Sequence, residues 1–247
     1  GKDSYIAGAY ATYVGQEIGQ FYGWVYEGIA RTQDELDGHA TQQGANVGDC
    51  LYKDISGPNG EPDGVIDAYD QTVLGSGLPK VNFGLSTHME YKGFDLNIST
   101  YGVLNYHVSD DIYNSLNSCY GYGNKEVGML DANRWSEDGS TYLSSVPRTY
   151  AANNATLAWN DLFSSRKIQN AAYWKIANVE LGYNFPDKWF GGYVSGVRLY
   201  VSAQNLYTFT GYHGYNVDYA GGTFTPGYNF CSFPSARTFM AGLHFTF

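Results

Sequence analysis

The feature that most constrains this chain is a set of long runs in which apolar and polar residues alternate one by one. In Val81–Glu90, the residues Val81, Phe83, Leu85, Thr87 and Met89 fall on one face, and Asn82, Gly84, Ser86, His88 and Glu90 on the other. After a short turn at Tyr91-Lys92-Gly93 the pattern resumes, with Phe94, Leu96, Ile98 and Thr100 opposing Asp95, Asn97, Ser99 and Tyr101. A period of two is the mark of a strand with one greasy face, and two such runs around a Gly-containing turn predict a hairpin. Val179, Leu181, Tyr183 and Phe185 oppose Glu180, Gly182 and Asn184, which predicts a strand over Tyr173–Phe185. Val197, Leu199, Val201 and Ala203 oppose Arg198, Tyr200, Ser202 and Gln204, and Phe239, Ala241, Leu243, Phe245 and Phe247 alternate with Met240, Gly242, His244 and Thr246. Earlier strands are expected over Ile18–Tyr26 and within Ser4–Tyr13.

These runs amount to about six strands of roughly 9–13 residues, where soluble sheets average about 5–6 and a crossing of the hydrocarbon layer takes about 9–11. The connections alternate too. Residues 91–93 and 186–196 are short or moderate, whereas 27–80, 106–171 and 208–234 are long. Uncharged faces, short turns at one end and long loops at the other predict a transmembrane β-barrel with extracellular loops 27–80, 106–171 and 208–234. Aromatics near strand ends (Tyr91, Phe94, Phe185, Trp189, Phe190, Tyr193, Phe245, Phe247) match interfacial girdles. The alternative is a soluble, calcium-containing β-sandwich that binds carbohydrate, since a sandwich also alternates.

Composition narrows the field further. Only 15% of residues are charged while 17% are aromatic, the reverse of a disordered chain. A net charge of -10 offers little from which to build a nucleic-acid-binding face. Cys50, Cys119 and Cys231 form no CxxC pair, and the histidines at 39, 88, 107, 213 and 244 show no zinc spacing. Six strands do not close a membrane barrel, whose minimum is about eight, and open edges are costly in lipid. With Gly1 first and no signal segment, the chain is expected to be the C-terminal segment of a larger barrel that sequence before Gly1 completes.

Several blocks carry a resemblance. They are Ile18-Gly-Gln-Phe-Tyr-Gly-Trp-Val-Tyr-Glu-Gly-Ile29, Asp63-Gly-Val-Ile-Asp67-Ala-Tyr-Asp70 with Leu74-Gly75, and Pro79 with Phe83-Gly-Leu85 and Tyr91-Lys-Gly-Phe-Asp-Leu96. Asn133-Arg-Trp135, Tyr173 through Asn178 to Tyr183 and Pro186, Arg198-Leu-Tyr-Val-Ser-Ala-Gln-Asn-Leu206, and Phe233-Pro with Arg237-Thr238-Phe follow in order. Together they resemble the C-terminal barrel region of SusC-like, TonB-dependent outer-membrane transporters of Bacteroidetes. The resemblance implies a barrel of about 22 strands, with a plug and a TonB box outside this chain. It also implies a SusD-like surface lipoprotein as partner, import of oligosaccharides or peptides driven through TonB, and surroundings of lipid and lipopolysaccharide. No nucleic acid and no enzymatic chemistry are implied.

The densest carboxylate cluster lies in 54–70. Calcium prefers oxygen ligands at alternating positions in a tight loop with Gly at the bend. Asp63, the Val65 carbonyl, Asp67 and Asp70 keep the second half of such a pattern. Asp54 lies further upstream than in the related loop, so Asn59 or Glu61 must fill the gap, and the last ligand is Asp70 where a longer Glu is usual. A structural Ca2+ held by Asp54, Asn59, Asp63, Val65, Asp67 and Asp70 is one expectation. An acidic turn whose Asp side chains cap local backbone is the other.

The long loops hold Tyr113, Tyr120, Tyr122, Trp135, Tyr142, Tyr150 and Trp159, then Tyr212, Tyr215, Tyr219, Phe224, Tyr228 and Phe230. Such rings suit loop packing, a protein lid or sugar rings alike. The polar strand residues Asn82, Ser86, His88, Glu90, Asp95, Asn97, Arg198, Ser202, Gln204 and His244 are expected to line the barrel interior. A G-x-S-x-G nucleophile elbow is missing from the sequence. His88 with Asp95 reads as wall packing, and the sequon Asn154-Ala-Thr156 as chance.

Overall fold

The structure is a computed structural model that describes residues 3–119, 124–129, 133–137, 141, 143–149, 159–191, 194–218 and 221–246. The chain divides into two compact units. One comprises Gly1–Leu78, His107–Gln169 and Tyr219–Cys231, the other Pro79–Tyr106, Asn170–Asp218 and Ser232–Phe247. The expected positions Tyr120, Tyr122, Tyr142, Tyr150, Asn154, Thr156, Tyr193, Tyr219 and Phe247 lie outside the described residues.

The second unit is a wall of five antiparallel strands in chain order: β1 Val81–Tyr91, β2 Phe94–Leu104, β3 Tyr173–Phe185, β4 Gly196–Thr210 and β5 Thr238–Thr246. They run to 11, 11, 13, 15 and 9 residues, long enough to cross a bilayer when tilted. The β1–β2 hairpin pairs Val81 with Leu104 through Tyr91 with Phe94. Its two-residue turn holds Lys92 and Gly93 at φ 49° and 87°. Positive φ at both central residues gives the turn whose twist matches that of the flanking strands.

Cross-strand partners share a face, so the register sorts every side chain. One face carries Phe83, Leu85 and Met89, then Leu96 and Ile98, Val179 and Leu181, Leu199 and Val201, and Ala241 and Leu243. Every Asp, Glu, Lys and Arg of the five strands (Glu90, Asp95, Lys175, Glu180, Arg198) lies on the other. Lys175 reaches that face through a bulge. Counting back from Val179 by twos would put it among the apolar residues. Between Ile176 and Asn178, however, the register shifts against both β2 and β4. The extra residue, Ala177, reverses the alternation. Trp174 and Ile176 thereby join the apolar face, and Tyr173 and Lys175 the polar one.

The apolar face is open. Leu181 and Val201 are 44% and 50% exposed, and Phe239 69%. A sandwich would cover these side chains with a second sheet, so the sandwich alternative is set aside. Aromatic clusters bound the face at both ends. Phe94, Tyr183, Phe185 and Trp189 are in ring contact at the short-turn end, and Trp174, Phe209 and Tyr207 at the other. Tyr183 to Trp174 spans about 30 Å at ~3.3 Å per residue. A tilt of ~40° reduces that to ~23 Å, near the ~25 Å apolar band of an outer-membrane barrel.

One expectation needs correcting. Ile18–Tyr26 is not one long strand; it yields Gln20–Gly23 and the first residue of Tyr26–Ile29. The strand expected within Ser4–Tyr13 is present as a short hairpin, Ser4–Ala7 with Tyr10–Tyr13. Gly8, at φ 58°, makes the turn within Ser4–Tyr13, and Gly19, at φ 67°, delays the start of the second strand to Gln20; both lie in the left-handed region, outside the extended backbone a ladder needs. The wall therefore has five long strands among the described residues, where the sequence suggests six. The short segments build the first unit, where Thr72–Ser76 completes a four-stranded sheet and Tyr26–Ile29 pairs with Cys50–Tyr52. Its core gathers Cys50, Tyr52 and Ile66 with Trp24, Tyr26, Trp159 and Leu162 around them.

Candidate functional site

The polar face of the wall is a prepared surface. Arg198 on β4 reaches across β3 to Asp95 on β2, with Nε and Nη2 donating to the two carboxylate oxygens at 3.0 and 2.5 Å. Its Nη2 also donates to Glu180 at 2.7 Å, and Asn184 donates to Asp95 at 3.0 Å. Gly182 sits beneath this crossing. A Cβ there would lie 2.4 Å from an Asp95 oxygen and 2.6 Å from Arg198 Nη2. Glycine at that position is what lets the fork pass. His88 bonds to Asn97 at 2.6 Å and to Glu90 at 2.9 Å. His88 and Asp95 thus have separate partners, and no acid–base–nucleophile set assembles around them. All ten residues expected on the interior occupy this face.

Lys175 binds a loop to the same face. Its ammonium meets Asp218 at 2.5 Å, and Tyr101 Oη donates to the same carboxylate at 3.3 Å. Asp218 thereby anchors the segment that follows β4. Nothing in the alternation marks this pair, because the Ala177 bulge alone brings Lys175 to the polar side.

In the first unit, the acidic loop is wired to its own backbone. Asp70 is fully buried and accepts from the N–H groups of Ile55, Ser56 and Asp67 at 2.7, 3.1 and 2.8 Å. Asp54 accepts from Gly64 N–H at 2.7 Å, Asp63 from Val65 N–H at 3.0 Å and Asp67 from Tyr69 N–H at 2.7 Å. The Asp67 carbonyl takes the Trp24 indole N–H at 3.0 Å. Val65 bridges to Thr41, and Asn59 and Glu61 are exposed. Among the described residues, no three His, Cys, Asp or Glu side chains gather as metal ligands would. The six sequence-marked residues share a loop, but their carboxylates face N–H groups.

A buried polar clip nearby has no sequence signature. Arg148 forks onto Asp49 at 2.7 and 2.8 Å, and Asn160 donates to Asp49 at 2.8 Å while accepting from Cys50 N–H at 2.7 Å. The Asn133-Arg-Trp135 block serves the same clip. Arg134 is buried and donates to the Pro147 carbonyl, and Trp135 lies so close to Gly48 (φ 93°) that a Cβ there would come within 2.5 Å. Burial raises the Cys50 thiol to about 12 and pushes Cys119 up as well. Both are poor nucleophiles.

The loop aromatics divide. Trp135 and Tyr212 are buried, Trp159 packs against Tyr52, and Tyr228 donates to Asp111. Tyr215, Phe224 and Phe230 are exposed, as is Phe233, which the loop reading missed.

A long-stranded wall with one charge-free face, bounded by two aromatic belts and backed by a hydrogen-bonded polar face, is the wall of an outer-membrane barrel. The comparisons give the family. The chain is 31% identical over 242 residues to TonB-dependent receptor P3 of Formosa agariphila, covering 94% of this chain and 22% of that protein. It is 28% identical to TonB-dependent receptor P26 of the same organism over 95% of the chain and 23% of the relative, and 26% identical to TonB-dependent receptor SusC of Bacteroides thetaiotaomicron over 80% and 19%. No protein-family profile matches. In fold, the chain superposes on a structure described as the RagAB peptide transporter with a TM-score of 0.76 at 21% identity, covering all of this chain and 25% of that one. The chain is therefore a stretch of a SusC-like TonB-dependent receptor, a protein of the bacterial outer membrane. It spans about a fifth of the length of the curated relatives it matches.

Proposed function

We propose that this chain supplies barrel wall and surface loops to a TonB-dependent importer that carries oligosaccharides or peptides across the outer membrane beneath a SusD-like lipoprotein lid. The observation that carries the reading is the division of the wall into an uncharged face for lipid and a charged, internally paired face for the transport path. The TonB-dependent receptors among the relatives support the dependence on TonB, and the likeness in fold to the RagAB peptide transporter supports a peptide cargo. On this reading 27–80, 106–171 and 208–234 face the medium, and the exposed rings of Tyr215, Phe224 and Phe230 are the first candidates for lid or cargo contact. The test is uptake of defined peptide and oligosaccharide pools by cells with and without the full-length gene, in backgrounds with and without TonB. Loss of uptake of one pool in both deletions, with a lipoprotein co-purifying, is expected. Uptake that is unchanged without the gene, or that persists without TonB, would overturn the reading.

For the 54–70 loop we infer a self-capped structural staple. Four carboxylates satisfy six backbone N–H groups, and one of them, Asp70, does so from full burial.

A further inference from the structure

One corner of the wall holds polar groups that no partner has claimed. β5 pairs with β4 from Gly196–Thr246 to Gln204–Thr238 and no further, while β4 runs on beside β3 as far as Thr210–Tyr173. Asn205, in the left-handed region at φ 52°, marks the departure, and its side-chain amide donates to the Ala236 carbonyl at 2.9 Å. Beside it lies a notch of about 300 Å³, lined by Arg237, Ser235, Asn205, Thr208, Thr210 and the segment 214–217. Thr208 and Thr210 belong to the polar face, opposite Lys175 and Tyr173. Asp218 ties the end of 214–217 to the same face through Lys175. The whole notch falls within the second unit.

The chemistry of the notch is one-sided. None of its lining residues is Asp or Glu. Lys175 also lines it but is neutralised by Asp218. Arg237 is exposed and, among the described residues, has neither an ion pair nor a hydrogen bond. By contrast, Arg198 on the same wall is spent on Asp95 and Glu180. The hydroxyls of Thr208 and Ser235 are also unengaged among the described residues. Asn216 accepts the Asp218 N–H through its side-chain oxygen at 3.0 Å, which leaves its amide N–H groups to donate. The exposed ring of Tyr215 stands at the same notch. N–H groups and hydroxyls around one uncompensated positive charge make a receptor for an anion. Charge matching selects the anion. One free guanidinium balances a carboxylate, whose planar pair of oxygens fits its fork. A phosphate monoester, nearer two negative charges, would leave charge over beside Asp218.

We propose that this notch is a subsite for a carboxylate carried by the cargo, held on the Arg237 fork with Thr208 and Ser235 donating to the same group. The inference rests on the importer reading above and deepens it. The notch takes its floor from the face assigned to the transport path, level with Trp174, Tyr207 and Phe209, the aromatic belt at the long-loop end where cargo arrives. Its volume of about 300 Å³ has room for one terminal unit of a chain, not for its length. A peptide brings a carboxylate at its C-terminus and an acidic oligosaccharide on a uronate ring, and the fork meets the same two oxygens in either.

Equilibrium retention by the full-length protein in detergent, with any lipoprotein that co-purifies, tests this. The probes are short synthetic peptides without Asp or Glu, made as free acid and as C-terminal amide, and uronate oligosaccharides with their carboxyl-reduced counterparts. The wild type is expected to retain one acid form over its neutral counterpart, and the pair so selected identifies the source of the carboxylate. Arg237→Gln should lower retention of that acid form about tenfold, the value of one charge-assisted hydrogen bond, and leave the neutral form unchanged. Arg237→Lys should keep part of the preference, as a point charge without the fork. Thr208→Val should lower the same form about threefold. If Arg237→Gln loses both forms, Thr208→Val decides, and an undiminished preference for the acid overturns the site. Retention that ignores the carboxylate, or that survives Arg237→Gln, would overturn the site and leave the importer reading standing. Retention of no probe in any form would overturn the importer reading, and the site with it.

Discussion

In the five-stranded wall Leu181 and Val201 are about half exposed and no residue of β1 is buried, whereas in the loop unit Tyr52, Phe21 and Asp70 are at 1% or less. The two regions thus satisfy their polar groups by different means. The wall uses strand ladders and surrenders its apolar side chains to the surroundings, as a lipid-facing sheet must. The loop unit makes a dry interior of its own and threads carboxylates and amides through it. Stability in the wall depends on what surrounds it, and in the loops on a few side chains that no other residue can replace.

The largest expected effect falls on such a side chain. Asp70→Ala leaves three N–H groups without their acceptor inside the loop core. At ~1–3 kcal/mol for each orphaned group, partly relieved by entering water, the loss should be about 4 kcal/mol. Hydrogen exchange in the full-length protein should show it in 54–70 while β1–β5 stay protected. Loss of protection in the wall as well would mean that the two regions are not separately held.

In the wall the decisive variable is the face. Val201→Arg puts a charge against hydrocarbon between the short-turn aromatic belt and the midplane and should cost about 1–3 kcal/mol. Its neighbour Ser202→Arg points to the polar face and should cost well under half of that. Heat-dependent gel mobility after refolding into lipid vesicles compares the pair. Equal penalties would contradict the assignment of faces from the register.

A smaller effect concerns pH. Burial holds the Cys50 thiol at about 12, against an ordinary value near 9. A raised value means that the folded state keeps its proton longer than the unfolded one does. The corresponding stability is complete below about pH 9 and is lost as pH rises towards 12. Proteolysis of the loop unit should therefore quicken over that interval, less so in Cys50→Ala, with the ladders of the wall indifferent. Exposed Cys231 should take a maleimide at pH 7 while Cys50 and Cys119 do not.

The wall was legible because alternation is a direct record of a two-sided environment. Leu85, Ile98, Leu181, Val201 and Leu243 could be assigned to one face from their spacing, and the pairing of Arg198 with Asp95 follows from where the register puts them. The signal failed where the period broke. Ala177 looks like any alanine, yet it moves Lys175 from one face to the other. Left-handed glycines at 8 and 19 shortened strands that the composition made look continuous. The loop unit resisted for a different reason. Asp49, Arg148 and Asn160 meet across long stretches of chain, and irregular backbone has no period to reveal which polar residues turn inward.

The smallest expected effect is none at all, and it bears on the same contrast. A loop stapled by calcium should loosen when the metal is removed, because ligand carboxylates crowded without their cation repel one another. In 54–70 Asp54, Asp63, Asp67 and Asp70 each accept from a backbone N–H, while Asp54 Oδ1 is buried without a donor among the described residues and Glu61 is exposed. Asp63 and Asp67 turn back onto N–H groups two residues further on, and Asp70 closes a capping box with Asp67 at the short helix Ala68–Asp70. These contacts set backbone N–H dipoles against the carboxylates, and on the self-capped reading they carry the order of the loop. Chelation of the purified full-length protein should leave exchange rates in 54–70 unchanged, and added calcium should not slow them. If chelation instead raised them as much as Asp70→Ala does, the loop would owe its order to a cation, and the contrast would lie between a wall held by lipid and a loop held by metal.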